Sequence, residues 1–214
     1  MGHNPHVLDI CANCGQYRPD KTIDPSGPRA VCPACGHGEP FRHLPLFIVG
    51  GASGAGKTTV CRRLVREALG AVVLDMDILW RAEFDTPADG YRGFFETWLR
   101  MAANISQAGR PVVLFGAGAG EPGNIEPCVH RRYFSVVHYL ALVCDDAALA
   151  ERQRARPAWR GSGAAAFVAG QQQFNQWFKD HAQGAPPIRL VDTTGADEAS
   201  TVAEVMAWMG SSHQ

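Results

Sequence analysis

A glycine-rich loop lies between an apolar run and a helical pattern, and it limits the folds that this 214-residue chain can adopt. The run Leu46–Val49 has the composition of a buried strand, and the loop after it has the form Gly51-x4-Gly56-Lys57-Thr58. Beyond the loop, apolar residues recur at the spacing of an α-helix, at Val60, Cys61, Leu64, Val65 and Leu69. A strand, a glycine loop and a helix in this order predict the Walker A phosphate loop of a protein that binds ATP or GTP.

The spacing within the loop follows from the chemistry of a polyphosphate. Gly51, Gly54 and Gly56 carry no side chains, so backbone N–H groups can surround the anion. Lys57 can neutralise the terminal phosphates, Thr58 can bind Mg²⁺, and the helix N-terminus favours negative charge. A flexible turn without a ligand would not account for the flanking strand and helix. The residues predicted to contact the nucleotide are Gly51, Ser53, Gly54, Ala55, Gly56, Lys57, Thr58 and Thr59.

The charge balance limits the kinds of partner to expect. The 20 Lys and Arg residues nearly balance 21 Asp and Glu residues, and the formal net charge is −1. This gives no electrostatic reason to expect nucleic acid or an anionic membrane, and favours a small-molecule or nucleotide partner. No apolar run approaches the ~20 residues that span a bilayer, and the start lacks a secretion-signal pattern. We therefore expect a cytoplasmic protein, with the oligomeric state left open.

Four of the seven cysteines form two Cys-x-x-Cys pairs, Cys11 with Cys14 and Cys32 with Cys35. The 17 residues between the pairs fit the spacing of a four-cysteine zinc site, with two disulfides or two unrelated thiol pairs as alternatives. Four thiolates leave no open position for a reactive water, so the predicted Zn²⁺ is structural. We expect a zinc ribbon over residues 1–43 that does not bind nucleic acid. Ordinary surface positions are expected for His3, His6, His37 and His43.

Two carboxylates follow the second predicted strand, Ala71–Leu74. Asp75 and Asp77 would lie at the carboxyl end of that strand, where ligands bind in an open α/β sheet. They could hold Mg²⁺ and an acceptor hydroxyl near the γ-phosphate, although one could instead cap the next helix. The third predicted strand, Val112–Phe115, ends in the glycine-rich segment 116–123 without an acidic residue. This absence shifts the Mg²⁺ role to the aspartates, and the glycines predict either a close approach to substrate or a flexible loop.

Arginines are concentrated after the fourth predicted strand, Val136–Cys144, and the helix predicted over 145–155. Arginines on a mobile segment can close over a phosphoryl group in transfer and exclude water. A basic helix end that is merely solvated is the alternative, and it fits Arg154 best. The arginines of this stretch are Arg152, Arg154, Arg156 and Arg160.

The remaining segments complete an alternation of strands and helices, which predicts a parallel sheet. Helices are expected over Tyr91–Ile105, around Gln171–His181 and over Glu198–Met209, and a fifth strand over Ile188–Val191. Three arginines near the first of these helices could bind an anionic acceptor, although a helical arginine is usually solvated. They are Arg81, Arg92 and Arg100.

Together these motifs resemble the small P-loop kinases, which include nucleoside monophosphate, shikimate and gluconate kinases. The resemblance covers about residues 45–210 and is carried by the phosphate loop, Asp75-Met76-Asp77, the arginine stretch and Asp192-Thr193-Thr194. It implies an α/β fold with a parallel five-stranded sheet in the order 2-3-1-4-5, over residues 44–214. It also implies an arginine-bearing lid over about 152–163 and transfer of the γ-phosphate of ATP, with Mg²⁺, to a nucleotide or small-molecule acceptor.

The resemblance also implies roles for individual residues. Shikimate-kinase-like members place Asp-x-Asp after strand two and Arg-Pro in the lid, which match Asp75-Met76-Asp77 and Arg156-Pro157. On this basis Asp77 orients or deprotonates the acceptor, Asp75 and Thr58 support Mg²⁺, and the segment after strand five holds the adenine. The predicted catalytic residues are Lys57, Asp77, Arg152, Arg156 and Arg160.

The main alternative is an ATPase or GTPase switch whose zinc ribbon recruits a partner. A switch needs a positioned water and usually a carboxylate after strand three, whereas a kinase needs an acceptor pocket and a lid. The chain contains no Asn-Lys-x-Asp guanine-reading sequence, so ATP is favoured over GTP. A nucleic-acid-binding ribbon with a vestigial nucleotide site is disfavoured by the neutral charge balance.

Overall fold

The computed structural model describes residues 8–67 and 70–211. Within these ranges a three-stranded antiparallel sheet precedes a five-stranded parallel sheet. The small sheet consists of β1 (Thr22–Ile23), β2 (Arg29–Val31) and β3 (Gly38–Pro40). The large sheet consists of β4 (Leu46–Gly51), β5 (Val72–Asp75), β6 (Val112–Phe115), β7 (Val137–Val143) and β8 (Ile188–Asp192).

The helices of the described part alternate with the parallel strands, as predicted. They are α1 (Lys57–Leu64), α2 (Arg92–Ser106), α3 (Pro122–Ile125), α4 (Asp146–Arg154), α5 (Ala165–His181) and α6 (Glu198–Ser211). Helix α5 begins before the predicted start near Gln171, because Val168 in its first turns is buried against the fold. Of the described helices, none is both long and apolar enough to cross a bilayer. Leu69, His3 and His6 lie outside the described residues.

The large sheet has the order β5-β6-β4-β7-β8, so the predicted order 2-3-1-4-5, counted from β4, is confirmed. Strand β4 is central because it pairs with both β6 and β7, and all its residues are buried. One face of the sheet packs against Trp98 of α2 and Phe178 of α5. The other face packs against Leu64 of α1 and Val205 of α6. The strand that enters the phosphate loop therefore lies enclosed in the middle of the sheet, which fixes where the loop begins.

The glycines after β6 allow the chain to pack against its own core. A Cβ atom on Gly120 would lie 2.6 Å from the Cα atom of Gly50 in β4. A Cβ atom on Gly116 would lie 2.5 Å from the Sδ atom of Met76. Neither position can accept a side chain without displacing its neighbours. At these two positions the glycines therefore permit a close approach within the protein itself, and a close approach to substrate stays a prediction.

The N-terminal ribbon is attached to helix α2 by buried charged groups. The Nε2 atom of His130 lies 3.0 Å from Oδ1 of Asp9 in the ribbon, and its Nδ1 atom lies 2.9 Å from Oε2 of Glu96 in α2. Asp9 is fully buried and also forms an ion pair with Arg100 of α2. Because breaking a buried ion pair leaves an uncompensated charge, these contacts specify one position for the ribbon on α2.

The structure corrects the prediction for one nearby histidine. His37 is exposed, as expected, but His43 is half-buried and its ring lies 5.2 Å from that of Phe41. Burial lowers the pKa of His43, which favours the neutral ring. His43 therefore belongs to the packing between the ribbon and the larger domain.

We expect the free energy of unfolding to decrease as pH rises through the titration of His130. Burial alone would lower the pKa of His130, but hydrogen bonds and charge from Asp9 and Glu96 outweigh burial and raise it above 6.5. A raised pKa contributes stability that is complete below 6.5 and is lost as pH rises through the pKa of the folded state. Urea unfolding across neutral and mildly alkaline pH measures this slope.

Two variants separate His130 from other groups that titrate in this range. His130→Gln should remove the slope, whereas His181→Gln, a change at an exposed position on α5, should retain it. An unchanged slope in His130→Gln would show that the ribbon contact does not titrate as described.

Candidate functional site

The phosphate loop connects β4 to α1 through left-handed glycines. Gly51, Gly54 and Gly56 have φ angles of 134°, 97° and 104°, a region that L side chains rarely adopt. Helix α1 then begins at Lys57, so its first N–H groups face the space above the loop. The sequence folds in this way because only glycine permits these three turns without strain. The result is a concave backbone surface at a helix N-terminus, a geometry suited to phosphate.

Lys57 is held by the loop that it follows. Its Nζ atom donates hydrogen bonds to the carbonyl oxygens of Gly51 and Ala52, at 2.7 and 3.0 Å. Desolvation is the main cause that lowers the pKa of Lys57 to about 8; Asp77 and Asp75 oppose the shift, and nearby Arg156 adds to it. Because this ammonium is already desolvated in the folded protein, a polyphosphate anion can bind it without first removing its hydration water.

The two aspartates after β5 lie in the same cavity as Lys57 but have different surroundings. Asp75 Oδ1 accepts a hydrogen bond from the backbone N–H of Asp77 at 3.0 Å, so Asp75 caps the short 3-10 helix Met76–Leu79. The capping role considered from the sequence therefore belongs to Asp75, whose other oxygen could also bind a cation. Burial and the charge of Asp75 raise the pKa of Asp77, and Lys57 opposes this effect. A carboxylate with a raised pKa is better suited to accept a proton.

The arginines after β7 differ in what they contact. Arg156 donates to Ser53 Oγ at 2.7 Å, and burial together with Arg160 lowers its pKa. Arg160 lines the cavity and its guanidinium lies 5.1 Å from the ring centre of exposed Trp159. Arg152 also lines the cavity, but its guanidinium donates to Thr193 Oγ1 and to the carbonyl oxygens of Thr193 and Thr194. These contacts tie Arg152 to the loop after β8, and the catalytic role predicted for it stays a prediction.

One cavity of about 440 Å³ brings these groups together. Its wall combines the phosphate loop, the ends of β5 and β6, the arginine segment and the start of α6. The lining residues are Ser53, Gly54, Ala55, Gly56, Lys57, Thr58, Thr59, Val60, Asp75, Asp77, Phe115, Gly116, Ala117, Arg152, Arg156, Arg160, Thr193, Ala196, Asp197, Glu198 and Thr201. Of the predicted nucleotide contacts, Gly51 alone is outside this lining, and it contributes a carbonyl oxygen to Lys57.

Several groups around the loop were missed by sequence reasoning. Ser53 contacts two glutamine side chains, Gln153 and Gln171, which no motif identified. Residues 196–198 and Thr201 extend the wall beyond the predicted adenine segment. These residues follow no local pattern, because they reach the site through the packing of α4, α5 and α6 around the sheet.

The three arginines considered for an anionic acceptor lie elsewhere in the described structure. Arg81 is exposed and lies over the ring of Phe84 at 5.0 Å. Arg92 contacts the Sγ atom of Cys128 at 3.9 Å, and Arg100 pairs with Asp9 of the ribbon. None of them lines the cavity formed by the described residues, so Arg100 in particular acts in ribbon attachment.

The four cysteines predicted to bind metal converge in space. Their sulfur atoms all lie within 4.8 Å of one another, with Cys11 to Cys35 at 3.6 Å and Cys14 to Cys32 at 3.9 Å. A tetrahedral Zn²⁺ with Zn–S bonds of about 2.3 Å requires sulfur atoms about 3.8 Å apart. The cluster therefore fits Zn²⁺, whereas disulfides would need much shorter distances of about 2.05 Å.

The fold and the loop geometry define a P-loop domain with the architecture of the small kinases. Residues 46–181 match the AAA domain family, and the chain belongs to this family. The resemblance to P-loop kinases stated from the motifs is thereby confirmed at the level of the fold. No curated protein sequence matches the chain significantly.

Solved structures share the fold at low sequence identity. A gluconokinase from Sinorhizobium meliloti 1021 is 20% identical with a TM-score of 0.57, covering 78% of this chain and 91% of the other. A sugar kinase from Janibacter sp. HTCC2649 is 16% identical with a TM-score of 0.58, covering 78% and 95%. A kinase described as putative, from Chloroflexus aurantiacus J-10-fl, is 20% identical with a TM-score of 0.53, covering 79% and 98%. The shared property is the arrangement of the sheet and the helices.

Proposed function

We propose that this protein is an ATP- and Mg²⁺-dependent phosphotransferase that moves the γ-phosphate to a hydroxyl or phosphate of a small molecule or nucleotide. The observation that carries the proposal is the shared cavity of Lys57, Asp77 and Arg156. A cation for the donor phosphates, a carboxylate for the acceptor and an arginine for developing charge are the groups that phosphoryl transfer requires.

The phosphate loop and its neighbours bind and orient the donor. The backbone N–H groups from Gly54 to Thr58 surround the phosphates, and Lys57 exchanges its loop carbonyls for phosphate oxygens. Thr58 and the free oxygen of Asp75 are the groups that would hold Mg²⁺. When bound, Mg²⁺ supplies Lewis-acid stabilisation of charge on the phosphate oxygens. Arg152 keeps the loop after β8 in place beside the nucleotide.

Asp77 and the lid arginines act on the transfer itself. Asp77 orients the acceptor hydroxyl and accepts its proton, for which its raised pKa is favourable. Arg156 is held at Ser53, next to the loop, and Arg160 lies further along the same segment. Both place positive charge where the equatorial oxygens of the transferred group develop negative charge.

An acceptor screen tests this proposal. ADP release should be measured with Mg²⁺–ATP and, in turn, nucleosides, nucleoside monophosphates, sugar acids, sugars and aminoglycoside-type alcohols. Sugars and sugar acids are included because two structural neighbours are described as a gluconokinase and a sugar kinase. Acceptor-dependent ADP release supports the phosphotransferase, and hydrolysis that no acceptor accelerates favours the switch.

We further propose that Zn²⁺ at the four cysteines is structural and that the ribbon spans residues 1–43, followed by the kinase-like domain over 44–214 with its lid over about 152–163. The small sheet contributes strands of only two or three residues, too few to form an independent hydrophobic core. Metal coordination supplies the stabilisation that such a segment lacks.

Replacing Cys11 and Cys32 together by Ser should release the zinc and loosen the ribbon. Two of four thiolates are lost, and a two-ligand site binds Zn²⁺ far more weakly. We expect elemental analysis to fall from one Zn²⁺ per chain to a trace, with a lower midpoint of ribbon unfolding. ADP release should persist while the parallel sheet remains folded, as judged by far-UV circular dichroism.

The matched control is Cys128→Ala, which removes a buried thiol outside the cluster and should retain the metal. Loss of turnover in the double variant with the sheet intact would contradict a purely structural metal.

A further inference from the structure

Gln153 forms hydrogen bonds with the phosphate loop and with the end of the arginine segment, residues 154–162. It is the penultimate residue of α4 and is fully buried. Its side-chain Nε2 atom donates to the carbonyl oxygen of Ser53 at 2.6 Å. Its own carbonyl oxygen accepts a hydrogen bond from the hydroxyl of buried Ser162 at 3.1 Å. One residue therefore contacts the loop and closes the chain segment that begins just after it.

The segment closed by this contact carries the arginines. Arg156 and Arg160 lie between Gln153 and Ser162, and Arg160 ends a short 3-10 helix, Ala158–Arg160. The ends of the segment stay close, since a Cβ atom on Gly163 would lie 3.7 Å from the Cα atom of Arg154. The position of Arg156 relative to the phosphate loop thus depends on how the base of the segment is anchored.

Ser53 is held from three directions. Its N–H donates to Oε1 of Gln171 at 2.7 Å, its carbonyl accepts from Gln153, and its hydroxyl accepts from Arg156. The Gln153 stem also fills the space beside Gly54, where an added Cβ would lie 3.2 Å from its Cγ atom. Both backbone groups of Ser53 are therefore fixed by side-chain amides before any ligand enters.

Gln153 lowers the folding stability because one of its polar atoms is buried without a partner among the described residues. The amide must present its nitrogen to the Ser53 carbonyl, which leaves Oε1 buried with no hydrogen-bond partner among the described residues. An unsatisfied buried oxygen costs about 1–3 kcal/mol. An apolar residue of the same shape would avoid this cost, so the contact with Ser53 is the property that distinguishes glutamine at this position.

We infer that Gln153 is a positioning residue that fixes the phosphate loop at Ser53 and couples it to the segment carrying Arg156. The inference rests on the proposed phosphotransferase function. Gln153 does not line the cavity. It sets the distance between the loop that holds the phosphates and the arginine that stabilises the group in transfer, and small displacements of such groups reduce rate strongly.

The test is Gln153→Met, which keeps the length of the side chain and removes the donor. ADP release from Mg²⁺–ATP should lose about 10- to 100-fold in kcat, while the dissociation constant of Mg²⁺–ATP changes by less than about threefold, since Lys57 and the loop glycines remain. The melting temperature should change little, because the gain from removing the unpaired oxygen offsets the loss of the hydrogen bond to the Ser53 carbonyl. Without nucleotide, amide hydrogen exchange at residues 53–56 should become faster.

Gln176→Met is the matched control, because Gln176 contacts exposed Asp180 on α5 and should leave all four measurements unchanged. Wild-type kcat and exchange in Gln153→Met would overturn the inference, as would a lower melting temperature that accounts for the lost rate. If the wild-type protein binds no Mg²⁺–ATP, the proposed function fails. Hydrogen exchange in the absence of nucleotide still supports or overturns the coupling of Gln153 to the loop.

Discussion

Lys57→Ala is expected to reduce ADP release from Mg²⁺–ATP by about 10³-fold or more, because the donor phosphates lose the ammonium that is proposed to neutralise them. The Nζ atom already lies against the carbonyl oxygens of Gly51 and Ala52, at the floor of the concave loop. Removing it leaves the phosphate charge balanced only by backbone dipoles, Mg²⁺ and the lid arginines. Steady-state kinetics and calorimetry with Mg²⁺–ATP measure the loss of rate and of binding.

A measurement of folding stability separates the loss of ADP release in Lys57→Ala from misfolding. Lys57 has a pKa lowered to about 8 by desolvation, so the folded state binds its proton more weakly than the unfolded state. Such a group makes folding less favourable below pH 8, and this cost is relieved as pH rises from about 8 toward 10.5. Lys57→Ala should therefore unfold at the same urea concentration as the wild type or a higher one.

The matched control is Lys179→Ala, which removes a lysine that is bound to the Cys144 carbonyl and lies outside the cavity lining. It should retain ADP release. Full activity in Lys57→Ala would contradict the assignment of this loop as the donor site.

Asp77→Asn is expected to lower kcat by about 10²- to 10⁴-fold while Mg²⁺–ATP binds as before. Asparagine keeps the size and the hydrogen-bonding capacity of the side chain but cannot take a proton from the acceptor. The loss should appear in kcat with the acceptor identified by the screen, and the dissociation constant of Mg²⁺–ATP should change only a few-fold.

The pH profile gives an independent signature of Asp77. Burial and the charge of Asp75 raise the pKa of Asp77 above the ordinary value of 3.8. A base works only when deprotonated, so the wild-type rate should fall as pH decreases through this raised pKa. The acidic limb should disappear in Asp77→Asn.

Asp89→Asn serves as the control, because Asp89 is exposed in the 3-10 helix Pro87–Asp89 and outside the cavity lining. An acidic limb that persists in Asp77→Asn would assign the titration to another group.

The phosphate loop and the parallel strands could be predicted because their signals are local, whereas the strand order followed from the resemblance to the small P-loop kinases. The loop motif requires particular residues at adjacent positions, and buried parallel strands appear as continuous apolar runs. Helix α2, which was predicted over Tyr91–Ile105, buries its aromatic residues Phe94, Phe95 and Trp98. Helix periodicity places such residues on one side wherever the helix packs.

The contacts that sequence reasoning did not find connect distant segments. Arg100 and Arg152 are both basic helical residues, yet Arg100 pairs with Asp9 of the ribbon and Arg152 holds Thr193 and Thr194. Gln153 and Gln171 belong to no motif. The role of a glutamine depends on which group its amide contacts in the folded structure, here Ser53. The partners lie tens of residues away in the chain, and no spacing rule connects them.

The amino-acid sequence by itself determined the class of fold, the phosphate loop and the four-cysteine cluster, since each follows from residue types at short separations. The tertiary structure decided which charged side chains face the cavity, which attach the ribbon to α2, and how Ser53 is held between two glutamines. The physical reason is that hydrogen bonds and ion pairs act over a few ångströms in space. Distance along the chain does not reveal which groups folding brings within that range.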